Sequence, residues 1–488
     1  MKKILFIRVC GKIGSKLTPT MSRRLFLIVV LCTSLYAIGQ DIRIIPKVDE
    51  RTELMSIVFR LAGAEEYVNN DLTKYSNRID SYFEQIQTHP IISFVQQMRE
   101  QYGIGYDAVM SMAIHLQINN DSISLMNNLK DNDIDERWYI DSIPKFIELL
   151  NDFYQQSQFH DFYEEWETYR KIAEANVAEL LKKIDFSWFE QYYGDSLNGT
   201  FNLIISLSNG DGNYGANIHF KDGQEYIYAI IGSWNTDSAD NPVYSSEIIS
   251  LIIHEFNHSF CNPLVYAYKQ ELLLKAEEGY QLNSLKFDQQ AYGNATIVMC
   301  EILVRASVIK YFQAHQLRDN RVKYLLAQER NSGFIWIDAL FGVLTQYEQN
   351  RTTFPTLRSF MPEIIKMQNG LNLKKMQKEQ DKKRPVISIS NIKNGAKNID
   401  AATDKIIVHF SKPMYTGANG STYGKKGKDF FPEILGAEWN NTTKTEWILF
   451  VKLELNREYS IAFPEQWFMS EDFDIPKNTV YLDFKTKK

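Results

Sequence analysis

The stretch Ser245–Pro263, SSEIISLIIHEFNHSFCNP, constrains this chain more than any other. It carries His254-Glu255-Phe256-Asn257-His258 in an apolar setting. Ile248, Ile252, Phe256 and Phe260 recur every fourth residue, and Ile249 and Ile253 widen the stripe. That is the period of a helix with one buried face. Ser245 or Ser246 can cap its first turn, and Glu247 suits the positive end of the helix dipole. Asn262-Pro263 predicts its end, because the residue before a proline avoids the helical region. On such a helix His254 and His258 share a face, four residues apart. Two imidazoles so placed can hold one zinc ion, with Glu255 beside it as a general base. The bland alternative is a chance match, with both histidines hydrogen-bonded in a core. Chance matches usually fall on polar loops or exposed helices. Burying two histidines and a glutamate is costly without partners, and a metal would satisfy the imidazoles directly.

The surroundings narrow the function further. Net charge is −6, and no basic tract or glycine-rich phosphate loop occurs, which argues against nucleic acid as a partner. The 488 residues are enough for roughly two to four domains. Ser22-Arg23-Arg24 followed by the apolar run Leu25–Ala37 reads as an export signal ending near Gln40, since the run is too short to span a bilayer. Residues 1–40 are therefore expected to be removed. The mature chain would be periplasmic, cell-surface or extracellular, with no integral membrane segment. Cys32 follows Val-Val-Leu, a poor lipoprotein signal. Cys10 and Cys32 fall in this removed segment. Cys261 and Cys300 remain, too few for a disulfide scaffold. They should lie near each other if their two helices meet.

Residues 41–370 read as an α+β domain, mostly helical with one small antiparallel sheet. Phe201–Leu207, Tyr214–Phe220 and Glu225–Ile231 have strand patterns separated by turn residues. His89 and His160 lie in the helical first part, where a lone histidine is more often a cap or a packing residue. Asn294–Gln313 predicts a long buried helix with Glu301 among Ile297, Val298 and Val308, and Arg305 four residues on. Residues 371–385 are charged and read as a linker or a solvated last helix. From 386 to 488 short alternating runs predict a β-sandwich.

The His-Glu helix resembles the zincin metallopeptidases. Cys261 and Leu264 stand where the metzincin pattern needs glycine and histidine, so that subclass does not fit. In the gluzincin pattern a glutamate on a later helix is the third ligand, and the resemblance assigns that part to Glu301. Glu271, Glu277 and Glu278 are weaker candidates. The segments ELMSIVFRLAGAEEY, HEFNHSFCNP and CEILVRA also resemble an uncharacterised family of secreted bacterial proteins. VISISNIKNGAKNIDAATDKIIVHFSKPM resembles the opening of bacterial Ig-like modules. Together these resemblances imply a secreted zinc peptidase acting on peptides or proteins. Zinc would be held by His254, His258 and Glu301, with Glu255 as the base. A strand such as Tyr214–Phe220 would bind substrate by strand addition. Tyr280, Tyr292, Arg305 and His315 are the candidate oxyanion donors. A zinc-bearing protein without turnover and a glycan-binding adhesion protein are the rival classes.

Overall fold

The computed structural model describes residues 44–488, apart from 69–70, 195–198, 317–318 and 441. The expected signal segment, 1–40, lies outside the described residues. The fold is α+β. Strand β1 (Lys47–Val48) leads into helix α1 (Glu50–Leu61), capped by Asp49, whose side chain accepts from Arg51 N–H. Helix α2 spans Asp107–His115. Strands β2 (Gly199–Ile205), β3 (Tyr214–His219) and β4 (Glu225–Ile231) complete a four-stranded sheet ordered β1–β2–β4–β3.

The sheet is mixed, not wholly antiparallel. β2 and β4 pair in parallel from Gly199↔Glu225 to Ile205↔Ile231, and only β3 runs antiparallel to β4. The reason lies in β4. Its last five residues, Ile227–Ile231, are all buried, and a continuous apolar run is what a strand needs when it is covered on both faces. β4 therefore takes the central place, and β3 is left at the edge.

Helix α3 (Ile248–Ala267) packs on β3 and β4 with one side and on helix α5 (Ala295–Ala314) with the other. Helix α4 (Lys269–Leu282) lies between them in sequence. α3 does not stop at Asn262. It runs through Pro263, although an interior proline costs roughly 3 kcal/mol. Leu264 and Val265, just beyond it, are buried in the main core, and that packing outweighs the lost hydrogen bond. Ser245 acts one turn early, as its Oγ accepts from Glu247 N–H at 3.3 Å.

Beyond helix α6 (Asp319–Asn331), helix α7 (Leu373–Lys383) occupies most of the charged stretch 371–385. Eight strands follow, β5 (Ile387–Ile389), β6 (Ala396–Ile399), β7 (Lys405–Phe410), β8 (Thr422–Tyr423), β9 (Glu433–Trp439), β10 (Glu446–Lys452), β11 (Glu458–Phe463) and β12 (Val480–Thr486). They form two sheets, β9–β10–β7–β5 and β8–β11–β12–β6. Val408, Trp447 and Leu449 from one sheet share a core with Ile461, Leu482 and Phe484 from the other. A separate, larger core runs from Val48 to Leu373. Among the described residues no helix is long and apolar enough to cross a membrane.

Candidate metal centre

α3 and α5 bring the site together. Ile252, Ile253 and Phe256 anchor α3 in the core and leave His254 and His258 half-buried on the opposite side. Asn294 caps α5 by accepting from Ile297 N–H at 3.0 Å. Val298 and Ile302 then bury the face on which Glu301 sits. His254 Nε2 and His258 Nε2 are 3.2 Å apart. Glu301 Oε2 is 3.5 Å from His254 Nε2, and its Oε1 is 3.4 Å from His258 Nε2. The Glu301 carboxylate thus faces both histidines, as the residue pattern anticipates.

These three separations fit a metal. Zinc ligands 2.0–2.1 Å from a tetrahedral ion stand about 3.3–3.4 Å from one another. Among the described residues no other cluster of three or more His, Cys, Asp or Glu converges this closely. Ionisation agrees. Burial pushes His254 down to about 3 against the pull of Glu301, so its imidazole is neutral near pH 7. Burial disfavours the Glu301 carboxylate, yet His254, His258 and Arg305 hold it down to about 2. Neutral imidazoles and an ionised carboxylate are the forms that bind a cation.

Outer partners fix these groups. His258 Nδ1 donates to Asn262 Oδ1 at 3.1 Å, which leaves its Nε2 lone pair directed at the cluster. Arg305 donates from Nε to Glu301 at 3.2 Å, from Nη1 to Glu329 at 2.8 Å and from Nη2 to Tyr292 OH at 2.6 Å. Its guanidinium lies 4.9 Å over the Phe334 ring. Glu255 is 3.9 Å from His258 Nε2. Burial and then Glu301 raise the Glu255 carboxyl well above the usual carboxylate range, against the opposing pull of Arg305 and of the nearby Gly215 N–H. The edge strand β3 runs directly against the turn of α3 that carries the candidate base. Gly215 has to be glycine for this approach. A Cβ there would lie 2.3 Å from the Glu255 main-chain oxygen and 2.9 Å from His258 Cβ.

Other candidates fall elsewhere. Tyr292 and Arg305 are at the site, whereas Tyr280 donates to Asp288 and His315 faces Asp185. His89 caps its own helix and meets Asp152, and His160 faces Glu50. Glu278 pairs with Lys275, and Glu277 accepts from Gln281. Glu271 is exposed near the start of α4. Cys261 and Cys300 are free and buried. Cys261 meets Tyr193 OH at 3.2 Å, and burial pushes its thiol up to about 12.

A polar chain that the sequence does not reveal clamps β3. Ser259 on α3 donates to Asn217 Oδ1, and Asn217 donates to Glu225 at 2.7 Å. His219 lies 3.3 Å from Glu225 and 2.6 Å from Asp133, which also meets buried His115 at 2.9 Å. Asp133 and then Glu225 raise His219 from 6.5 to about 9. A raised folded-state value favours the charged form, so this stabilisation is complete below about pH 6.5 and lost as pH rises through about 9. His219 is 41% exposed, which keeps the effect modest. Thermal unfolding should have a lower midpoint above pH 9 than at pH 6.5, and His219→Gln should flatten that slope. An unchanged slope in the variant contradicts the clamp.

Residues 43–367 match the model of a family described as a domain of unknown function, DUF4932. The chain belongs to that family. The family's span holds the whole cluster of His254, Glu255, His258 and Glu301 and ends before α7 and the sandwich. No curated protein matches the chain. Among solved structures, surface layer protein SbsC, domains 1–6, aligns at 16% identity over 50% of this chain and 34% of that one, with a TM-score of 0.18. The S-layer protein rSbsC(31–844) aligns at 12% identity over 49% of this chain and 34% of that one, with a TM-score of 0.16. The chain spans about a third of each. Likeness at these TM-scores carries no argument.

Proposed function

We propose that this chain is an exported zinc-dependent peptidase, with His254, His258 and Glu301 as metal ligands and Glu255 as general base. One observation carries the reading. Two imidazole nitrogens and a carboxylate converge with edges of 3.2, 3.4 and 3.5 Å, and a second carboxylate stands beside them. When bound, zinc would supply Lewis acidity to the scissile carbonyl and to water. The remaining work belongs to the chain's own side chains. Glu255 takes the proton of the attacking water and passes it to the leaving amine. Arg305 holds the Glu301 carboxylate, and Asn262 holds the His258 tautomer. Tyr292, whose hydroxyl accepts from Arg305 and keeps its own proton to donate, is the candidate to stabilise the developing oxyanion. Substrate would lie as an added strand along β3. Export rests on the pattern of residues 1–40 alone.

The test is zinc content of the purified full-length protein together with hydrolysis of a mixed peptide library. Bound zinc and cleaved peptides support the reading. Bound zinc without cleavage would leave a zinc-bearing binding protein, and absence of both would remove the assignment.

Gly215 gives a sharper test of the site's assembly. The Cβ of Gly215→Ala must displace either β3 or α3 by close to 1 Å, because main-chain atoms cannot rotate away. Misplacement of that size typically costs about 10²-fold in rate. Gly215→Ala should therefore lose about two orders of magnitude in kcat/KM while far-ultraviolet circular dichroism stays unchanged. Full activity in this variant would mean that β3 does not position Glu255.

A further inference from the structure

The outer edge of β3 is open for only part of its length. Along this strand the odd-numbered residues turn their main-chain groups away from β4. His219 shows this, since its C=O accepts from Lys130 N–H at 2.8 Å and its N–H donates to Asp133 at 2.8 Å. Lys221 N–H donates to Asn128 C=O at 2.9 Å, and Leu129 and Phe220 form an antiparallel bridge. Residues 128–130 therefore already occupy the place of a neighbouring strand. The Asp133 carboxylate then ends that ladder, and the chain leaves the edge. By the two-residue alternation of a strand, Asn217 and Gly215 also face outward. Gly215 lies directly against Glu255, whose main-chain oxygen would be 2.3 Å from a Cβ placed there. Among the described residues no main-chain group takes the outward N–H and C=O of Asn217 or the C=O of Gly215.

A peptide added here would continue the line of residues 128–130. That segment runs antiparallel to β3, and an added antiparallel strand would run in the same direction. Its N-terminal end would then meet Lys130–Asp133, and its C-terminal part would pass Gly215 and Glu255. One residue can pair with Asn217, and one more can precede it beside Ile218. The place opposite His219 is filled. The bond beside Glu255 belongs to the residue opposite Gly215 or its predecessor. Only about three or four residues fit ahead of that bond.

We infer that residues 128–133 close the cleft at the N-terminal side of the substrate, so that the enzyme removes about three or four residues from free peptide N-termini instead of cutting within folded or long chains. This rests on the peptidase reading above. The chemistry is ordinary amide hydrolysis. Water adds to the scissile carbonyl, the C–N bond breaks, and its proton goes by way of Glu255 to the released amine of the C-terminal fragment.

The experiment uses one unstructured decapeptide in two forms, carrying polyethylene glycol at its N-terminus or at its C-terminus. Hydrolysis is followed with the zinc-loaded full-length protein, and binding with Glu255→Gln. The C-terminally modified peptide should be bound and cut, releasing N-terminal pieces of about three or four residues by mass spectrometry. The N-terminal modification should weaken binding and slow cleavage about tenfold or more. Equal behaviour of the two forms overturns the inference while leaving the peptidase reading in place. Selective loss with the C-terminal modification overturns it too, because the substrate then runs parallel to β3. No binding or cleavage of either form removes the peptidase reading and the inference with it.

Discussion

Glu255→Gln keeps the fold and the zinc and lowers peptide hydrolysis by roughly 10²–10⁴-fold, the usual contribution of a general base. The substitution preserves size and shape. The close contact of Gly215 is with the Glu255 main chain and His258 Cβ, which the substitution does not alter, so β3 and α3 stay in register. Zinc is retained because Glu255 is outside the triangle of His254, His258 and Glu301. What disappears is the group that takes the water proton. Glu255 suits that task because burial and Glu301 raise its proton affinity well above that of an ordinary carboxylate. A bound cation would lower it again, towards the working range of a base. The measurement is kcat/KM on a cleaved library peptide beside zinc content by mass spectrometry. Turnover equal to the parent's would refute the role of Glu255, and loss of zinc would show that it holds the site together instead.

The cluster was legible because two strong local signals met. The His-x-x-x-His spacing needs only a helix to bring both imidazoles to one face, and the Ile–Phe stripe demanded that helix. Glu301 lay 43 residues after His258, and local pattern could not place it there. It stood out because an acidic group on an apolar helix face needs a partner. The outer partners were not legible. Glu329, Asp133 and Asn217 come from distant segments, and their contacts depend on how the helices and loops pack.

The fold divides in the same way. Helix positions followed from periodicity, but the Pro263 stop did not hold because tertiary packing of Leu264 and Val265 won over a local rule. Strand pairing is non-local, so three adjacent strand patterns suggested an antiparallel meander when the middle one in sequence was the edge. In the sandwich, β9 carries no strand pattern in its sequence. Six of its seven residues are not buried, and a bulge between Ile434 and Gly436 breaks the alternation that would have marked it.

Loss of zinc is the second large effect expected. Glu301→Ala should weaken zinc binding by more than the 10–100-fold that loss of an outer partner typically costs. The competing explanation for Glu301 is a simple pair with Arg305, four residues along the helix. The geometry speaks against that as the whole account. Arg305 reaches only Oε2, at 3.2 Å, whereas both carboxylate oxygens face histidine nitrogens. Arg305 also has Glu329 and Tyr292, so it would not be stranded if Glu301 had no other duty. An i,i+4 pair on a wet helix is worth only about 0.2–0.5 kcal/mol, too little to offset burying Glu301 at 8% side-chain exposure. Glu301→Gln separates charge from volume. It keeps packing and a hydrogen-bonding oxygen but removes the anionic ligand, so zinc affinity should fall while the melting midpoint of the metal-free protein changes little. Glu329→Gln should leave all three ligands and weaken zinc only within the outer-partner range of about 10–100-fold. Competition against a chelator of known affinity ranks the variants. If Glu301→Ala holds zinc as tightly as the parent, the histidines take their third ligand elsewhere and the assignment of α5 to the metal centre is wrong.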